Sequence, residues 1–186
     1  MSDPSQNVSD EQILTVLQSD AQRGIELIFK KYYSYVVSVI FRVSNNYDLA
    51  EDIAQDVFFE LWRKKEQLNI STSLRPYLRR ASINKTLNHF RDQKINFASD
   101  EQLPSLAGGL TKAQQQMEAD EMEAYITNLI DQLPERCRVI FILSRYEELS
   151  YKEIAENLQI SEKTVENQIS KALKFLRENL AGFLKD

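Results

Sequence analysis

"YKEIAENLQISEKTVENQISKAL", residues 151–173, reads as a short helix, a tight turn and a second helix. Ser150 and Glu153 stand at capping-box spacing, so a helix starts at Tyr151. Ile154, Ala155 and Leu158 recur on its inner face, and the small Ala155 lets a second helix cross close by. Gln159 and Ile160 make the turn. Ser161 is placed to accept a backbone N–H at the start of the last helix. There Val165, Ile169, Ala172, Leu173 and Leu176 are expected to pack inward. That leaves Lys163, Thr164, Asn167, Gln168 and Lys171 outside. This is the pattern of a helix-turn-helix, whose second helix fits the major groove. Asn and Gln bond adenine bidentately, and Lys reaches guanine or phosphate. The competing reading is a packed helical corner with a solvated polar face.

The rest of the chain sets the context for that choice. Of 186 residues 42% are hydrophobic, enough for packed cores, and only four are Gly and four Pro. Such a composition, rich in Leu, Ile, Glu, Lys and Gln, favours an all-α protein. The single Cys, Cys137, allows no disulfide framework and no CxxC metal knuckle within the chain. The polar, acidic start "MSDPSQNVSDEQ" is no signal peptide, and "VIFIL" at 139–143 is too short to span a membrane. A cytoplasmic location is expected. The net charge of −5 argues mildly against a non-specific nucleic-acid binder, but how charge is distributed matters more.

Two helical modules emerge along the chain. Ser9 and Gln12 form one capping box, and Asp20 caps a long helix to about Val43. Its apolar residues, from Ile25, Ile28 and Phe29 to Val39 and Ile40, keep helical spacing. After "SNNYD", Asp48 and Glu51 read as another box. The following helix, Leu49 to about Glu66, buries Ala50, Ile53, Ala54, Val57, Phe58 and Leu61, and turns Asp52, Gln55 and Asp56 outward. "QLNISTS" at 67–73 is loop. A fourth helix runs from about Leu74 to Lys94, with Pro76 harmless in its first turn. Between 75 and 94 stand six Lys and Arg against one acid, Asp92. Residues 95–116, with Pro, Ser and paired Gly, read as a flexible linker. The second module, 117–186, opens with a stripe of Met122, Tyr125, Ile126, Leu129, Ile130 and Leu133. Pro134 then starts a helix with Val139, Ile140, Ile142, Leu143 and Tyr146 on its core face.

No Gly-rich phosphate loop, Ser/His/Asp set or paired-acid site is visible, so the chain is not expected to be an enzyme. His89 is the sole His and has no ligand-spaced companions, so neither a metal nor another cofactor is expected.

Taken together, "DLAEDIAQDVFFELWRK", "YLRRASINKTLNHFRD" and "LPERCRVIFILSRYEELSYKEIAENLQISEKTVENQISKALKFLR" resemble a bacterial sigma factor of the extracytoplasmic-function (ECF) type in the sigma-70 family. The resemblance covers about residues 10–180. It implies a protein that binds core RNA polymerase and directs it to promoters. Module 1–94 would correspond to sigma region 2, which binds core polymerase and the −10 element. Module 117–186 would correspond to region 4, which binds the −35 element. Asp52, Gln55 and Asp56 match positions that dock on the clamp coiled coil of the largest polymerase subunit, and the second module would meet the flap of the second-largest. Candidate −10 contacts are Asn69, Ser71 and Thr72 in the loop, and Arg79, Arg80, Asn84, Lys85, Asn88 and Arg91 on the helix. Candidate −35 contacts are Ser161, Lys163, Thr164, Asn167, Gln168 and Lys171. The partners implied are polymerase, promoter DNA and an anti-sigma factor, with no small-molecule substrate. Two departures bear on promoter preference: Ile83 stands where relatives often carry Arg, and Asp92 interrupts a usually basic run.

Two other readings compete. A stand-alone dimeric helix-turn-helix regulator needs a sensory module or a dimerisation stripe, and neither is visible. A helical protein-binding adaptor leaves the basic run and the polar last helix unexplained together.

Overall fold

Asp20 carries two helix ends at once. Its backbone N–H donates to Val16 O at 2.7 Å, closing one helix. Its carboxylate accepts from Arg23 N at 3.0 Å, opening the next. Such economy of connection recurs through the protein, whose computed structural model describes residues 8–68, 70, 73–93 and 119–181. The described secondary structure is entirely helical: α1 (Asp10–Ser19), α2 (Ala21–Ser44), α3 (Tyr47–Arg63), a 3-10 turn (Lys65–Gln67), α4 (Leu74–Asp92), α5 (Ala119–Asp131), α6 (Glu135–Arg145), α7 (Tyr151–Leu158) and α8 (Glu162–Leu180). The all-α expectation is met. The chain divides into two compact units, Met1–Asp92 and Gln93–Asp186. The expected linker, 95–116, lies outside the described residues.

In the first unit α2 is the central helix, packed against α1, α3 and α4. Ile28, Val36 and Ile40 on α2 are fully enclosed, as are Ala50 and Ala54 on α3. Burying a Val or Ile side chain stabilises by about 1.5–3 kcal/mol, so this seam contributes substantially to the unit. The two alanines let the α2 and α3 backbones come close. α1 is pinned by polar contacts as well. Lys31 Nζ donates to Val8 O and Asp10 Oδ1, both at 2.7 Å, and Tyr32 OH donates to Asp10 Oδ1 at 2.6 Å. Burial pushes the Asp10 carboxyl up, but these bonds outweigh it and hold it below its usual value.

The capping box at Ser9–Gln12 and the cap at Asp20 form as expected. The expected box at Asp48–Glu51 does not cap α3. Asn45 takes a left-handed conformation (φ 52°) that ends α2, and Asn46 caps α3, accepting from Leu49 N at 3.0 Å. With so short a connection the helix starts two residues earlier, and Asp48 falls in its first turn. α3 also stops at Arg63, and α4 stops at Asp92. Phe29, expected in the core stripe, is 43% exposed at the edge of an aromatic cluster, its ring 5.0 Å from both Tyr33 and Phe58.

In the second unit α6 is buried continuously from Cys137 to Leu143 and packs against α7 and α8. Tyr146, expected on its core face, is instead exposed. The chain turns after it, with Glu147 N donating to Ile142 O, and Glu147 takes the buried position. Burial lowers the Arg138 guanidinium from its ordinary value, while the charges of Asp131 and Glu135 partly offset the effect.

At Gly24 α2 packs directly against Leu17 of α1. A Cβ there would lie 2.5 Å from Leu17 Cα. Gly24→Ala should therefore destabilise the first unit although Ala is the better helix former by about 0.8–1.0 kcal/mol. Backbone displacement of this kind costs roughly 1–3 kcal/mol, so after the propensity gain a net loss of up to about 2 kcal/mol is expected. Denaturation followed by fluorescence of Trp62, the chain's only Trp, tests this.

Candidate nucleic-acid and protein interfaces

The turn between α7 and α8 is built from named hydrogen bonds. Ser150 Oγ accepts from Glu153 N at 3.2 Å, and Glu153 Oε2 accepts in return from Ser150 N at 2.9 Å, completing the expected capping box. Gln159 ends α7 in a left-handed conformation (φ 56°), its N–H donating to Ala155 O. Ser161 Oγ accepts from Thr164 N at 3.0 Å and starts α8. Small Ala155 and Ile154 are buried where α8 crosses.

The inner stripe of α8 is Val165, Gln168, Ile169, Ala172, Phe175 and Leu176. This corrects two expectations. Gln168 is only 6% exposed and does not lie on the outer face. It shares the 165–169–172 stripe, and its carbonyl accepts from Cys137 Sγ at 3.3 Å. Its amide is therefore not offered to a base edge. Leu173 lies off that stripe and is exposed. Cys137 itself is buried against α8.

The outer face presents Lys163, Glu166, Asn167, Ser170 and Lys174. Lys163 Nζ reaches Glu166 Oε2 at 2.8 Å, but both side chains are more than half exposed, so the pair is easily exchanged for another partner. Thr164 and Lys171 are half-buried. Ser170 and Lys174 escaped the sequence reading. Their signal was available, since they continue the three- and four-residue steps outward from Asn167.

In the first unit Asp52, Gln55 and Asp56 do face outward on α3, as expected. On α4, Arg80, Asn84, Asn88 and Arg91 are exposed, while Arg79 and Lys85 are half-buried. Of the aromatic candidates there, Phe90 is buried, and Tyr77 and His89 are half-buried. The small buried hydroxyls of Ser82 and Thr86 donate to Leu78 O and Ser82 O at 2.7 and 2.9 Å. These satisfied polar residues replace apolar ones on the inner face and blur its periodicity. Asn69, Ser71 and Thr72 lie outside the described residues.

The two candidate sets meet in a groove of about 490 Å³ between α3 and α4, lined by Asp56, Glu60, Tyr77, Asn84, Lys85 and Asn88 among others. Lys85 Nζ donates to Glu60 Oε1 at 2.9 Å and lies 3.4 Å from Asp56 Oδ2. The Lys85 bond holds the Glu60 carboxyl below its ordinary value, and the bond to Glu60 in turn raises the Lys85 ammonium. Glu60 was missed by the sequence reading, because a contact across 25 residues leaves no periodic trace. Among the described residues no group of three His, Cys, Asp or Glu could hold a metal ion.

Residues 28–95 match the family description "Sigma-70 region 2", and residues 123–176 match "Sigma-70, region 4". The first match takes in most of α2 and all of α3 and α4. The second takes in the helix-turn-helix. The chain belongs to the sigma-70 family. Several of its curated relatives are named as ECF sigma factors. The chain is 26% identical over 190 residues to the RNA polymerase sigma-H factor of Pseudomonas aeruginosa, covering 95% of this chain and 96% of that protein. It is 28% identical over 160 residues to the ECF sigma factor SigW of Bacillus subtilis, covering 80% and 84%. A solved structure of sigma factor RpoE bound to the anti-sigma factor NepR, from Bartonella quintana, aligns at TM-score 0.45 and 18% identity, over 86% of this chain and 98% of that one. The protein is thus an RNA polymerase sigma factor. No helix among its described residues is long and apolar enough to cross a membrane.

The turn of this sigma factor holds Gln159 where a glycine carries no steric penalty. A non-glycine residue in that region costs about 1–2 kcal/mol, part of which a glycine returns as extra unfolded-state freedom. Gln159→Gly should stabilise the second unit by roughly 0.5–1 kcal/mol, read as slower amide hydrogen exchange in α7 and α8.

Proposed function

We propose that this sigma factor reads the −35 element as duplex through α8 and engages the −10 element through α4 and the loop before it. The observation that carries the −35 reading is the fixed roll of α8. With Gln168 buried, the capped helix turns Lys163 and Asn167 toward solvent, and Ser170 and Lys174 extend the same face. Asn167 supplies the base-edge contact, the lysines supply phosphate or base contacts, and Ser161, Thr164 and Lys171 flank them. Gln168 has no direct part in this reading.

For the −10 element, Arg80, Asn84, Asn88 and Arg91 form the exposed basic and amide face that follows the backbone, with Arg79 and Lys85 beside them. Asn69, Ser71 and Thr72 would surround an unpaired base. Asp52, Gln55 and Asp56 dock on the clamp coiled coil of the largest polymerase subunit, and the second unit meets the flap of the second-largest. Membership of the family supports these assignments, together with an anti-sigma partner and a cytoplasmic site of action. The dimeric-regulator and adaptor readings lose their ground, because both sigma regions are present in one chain.

The two interfaces should fail differently. Replacing Asp52, Gln55 and Asp56 together by Ala should weaken binding to core polymerase with little change in melting, since all three are exposed. An unchanged core affinity in a fluorescence titration removes the docking assignment. With holoenzyme on a randomised upstream duplex, Asn167→Ala should cost about 1–3 kcal/mol and relax selectivity at one base position. Lys163→Ala should weaken binding on every sequence and lower the salt slope by about one unit. Unaltered selected sequences and affinity in both variants would leave α8 only a solvated face.

A further inference from the structure

Lys85 is caught between the two interfaces. It sits on the basic helix α4, yet its ammonium faces Glu60 and Asp56 on α3. Asp56 is one of the three proposed polymerase contacts. Lys85 is one of the proposed −10 contacts. The same ammonium cannot neutralise Asp56 and Glu60 and also give its full charge to a phosphate. Neither can Asp56 hold Lys85 and offer its full charge to a basic partner.

We propose that Glu60 and Asp56 form a latch that holds Lys85 off DNA in the free sigma factor, and that polymerase docking on Asp56 weakens it. Glu60 is the positioning residue of this device. It touches neither polymerase nor DNA in the proposal, but it supplies the shorter of the two bonds, 2.9 Å against 3.4 Å. The inference rests on the docking and −10 assignments proposed above.

The exposures suit a latch better than a structural pair. The side chains of Lys85, Asp56 and Glu60 are 28%, 62% and 42% exposed. Ion pairs so open to solvent are individually weak. They bias Lys85 without locking it, and a competing charge on either side displaces them. The bias is reciprocal by linkage. Polymerase that takes Asp56 makes Lys85 more available to DNA, and DNA that takes Lys85 makes Asp56 more available to polymerase. Glu60 also lies 3.9 Å from Lys64, so a test must separate the two lysines.

Two measurements on the full-length chain do so. The first is binding of the free protein to a forked duplex with a single-stranded thymine–adenine tail. Glu60→Gln should bind about two- to five-fold tighter, with a salt slope steeper by about 0.7 unit for one added single-strand phosphate contact. Glu60→Gln combined with Lys85→Met should show no such gain. A gain that survives in the double variant comes from Lys64 and overturns the proposal. Glu66→Gln removes the same charge away from Lys85 and should change little. An equal gain there means simple charge reduction and also overturns it.

The second measurement is core polymerase titration. Lys85→Met should tighten core binding by about two- to five-fold, because Asp56 is returned to the docking face. Adding Asp56→Asn should abolish that gain. A plain DNA contact at Lys85 predicts no effect on core affinity, so an unchanged value overturns the latch. The Ala triple at Asp52, Gln55 and Asp56 separates the two failures. If the triple weakens core binding while Lys85→Met leaves it unchanged, docking stands and only the latch falls. If the triple changes nothing, both fall together.

Discussion

The first unit depends on the close approach of α2 and α3. Ala50 and Ala54 let the two backbones near one another, and Val36 and Ile40 fill the seam. Because one side of α3 is committed to this contact, the opposite side is fixed in direction. Asp52, Gln55 and Asp56 point outward as a consequence of packing. α4 then closes the seam, and its approach to α3 brings Lys85 within reach of Glu60 and Asp56. Core geometry thus sets both the acidic face and its counter-charge.

Local signals in the sequence were enough for most of the fold. Two capping boxes, the cap at Asp20 and the inner stripes of α3 and α7 are short-range patterns, and the structure reproduces them. The failures have local reasons too. Asn46 outcompetes Asp48 because Asn45 ends α2 so late that only two residues separate the helices. Leu173 is apolar but lies one residue off the inner stripe of α8, which keeps its three- and four-residue steps through Ala172 to Phe175 and Leu176.

The candidate sites were less legible than the fold. Outward positions on α3 follow from its clean periodicity. On α4 the buried Ser82 and Thr86 hide the inner face, so the orientation of Tyr77, His89 and Phe90 needed the structure. Gln168 shows the opposite error. A polar residue suggests an outward position, whereas Gln168 lies inside, its carbonyl against Cys137 of α6. Contacts between distant residues, such as Lys85 with Glu60, have no signature in one sequence.

The buried stripe of Val165, Gln168, Ile169 and Ala172 fixes how α8 is rolled on its scaffold. The residues that fix this roll and those that face solvent are then different sets. Positions 163, 167, 170 and 174 can be exchanged with little consequence for the packed core, and positions 165, 168, 169 and 172 can hold that core unchanged. If the outward face reads DNA as proposed, a lineage of such proteins is free to drift through new promoter preferences by substitutions at a few outward positions, each leaving a folded chain behind it. Divergence of recognition on this frame needs no passage through an unfolded intermediate sequence.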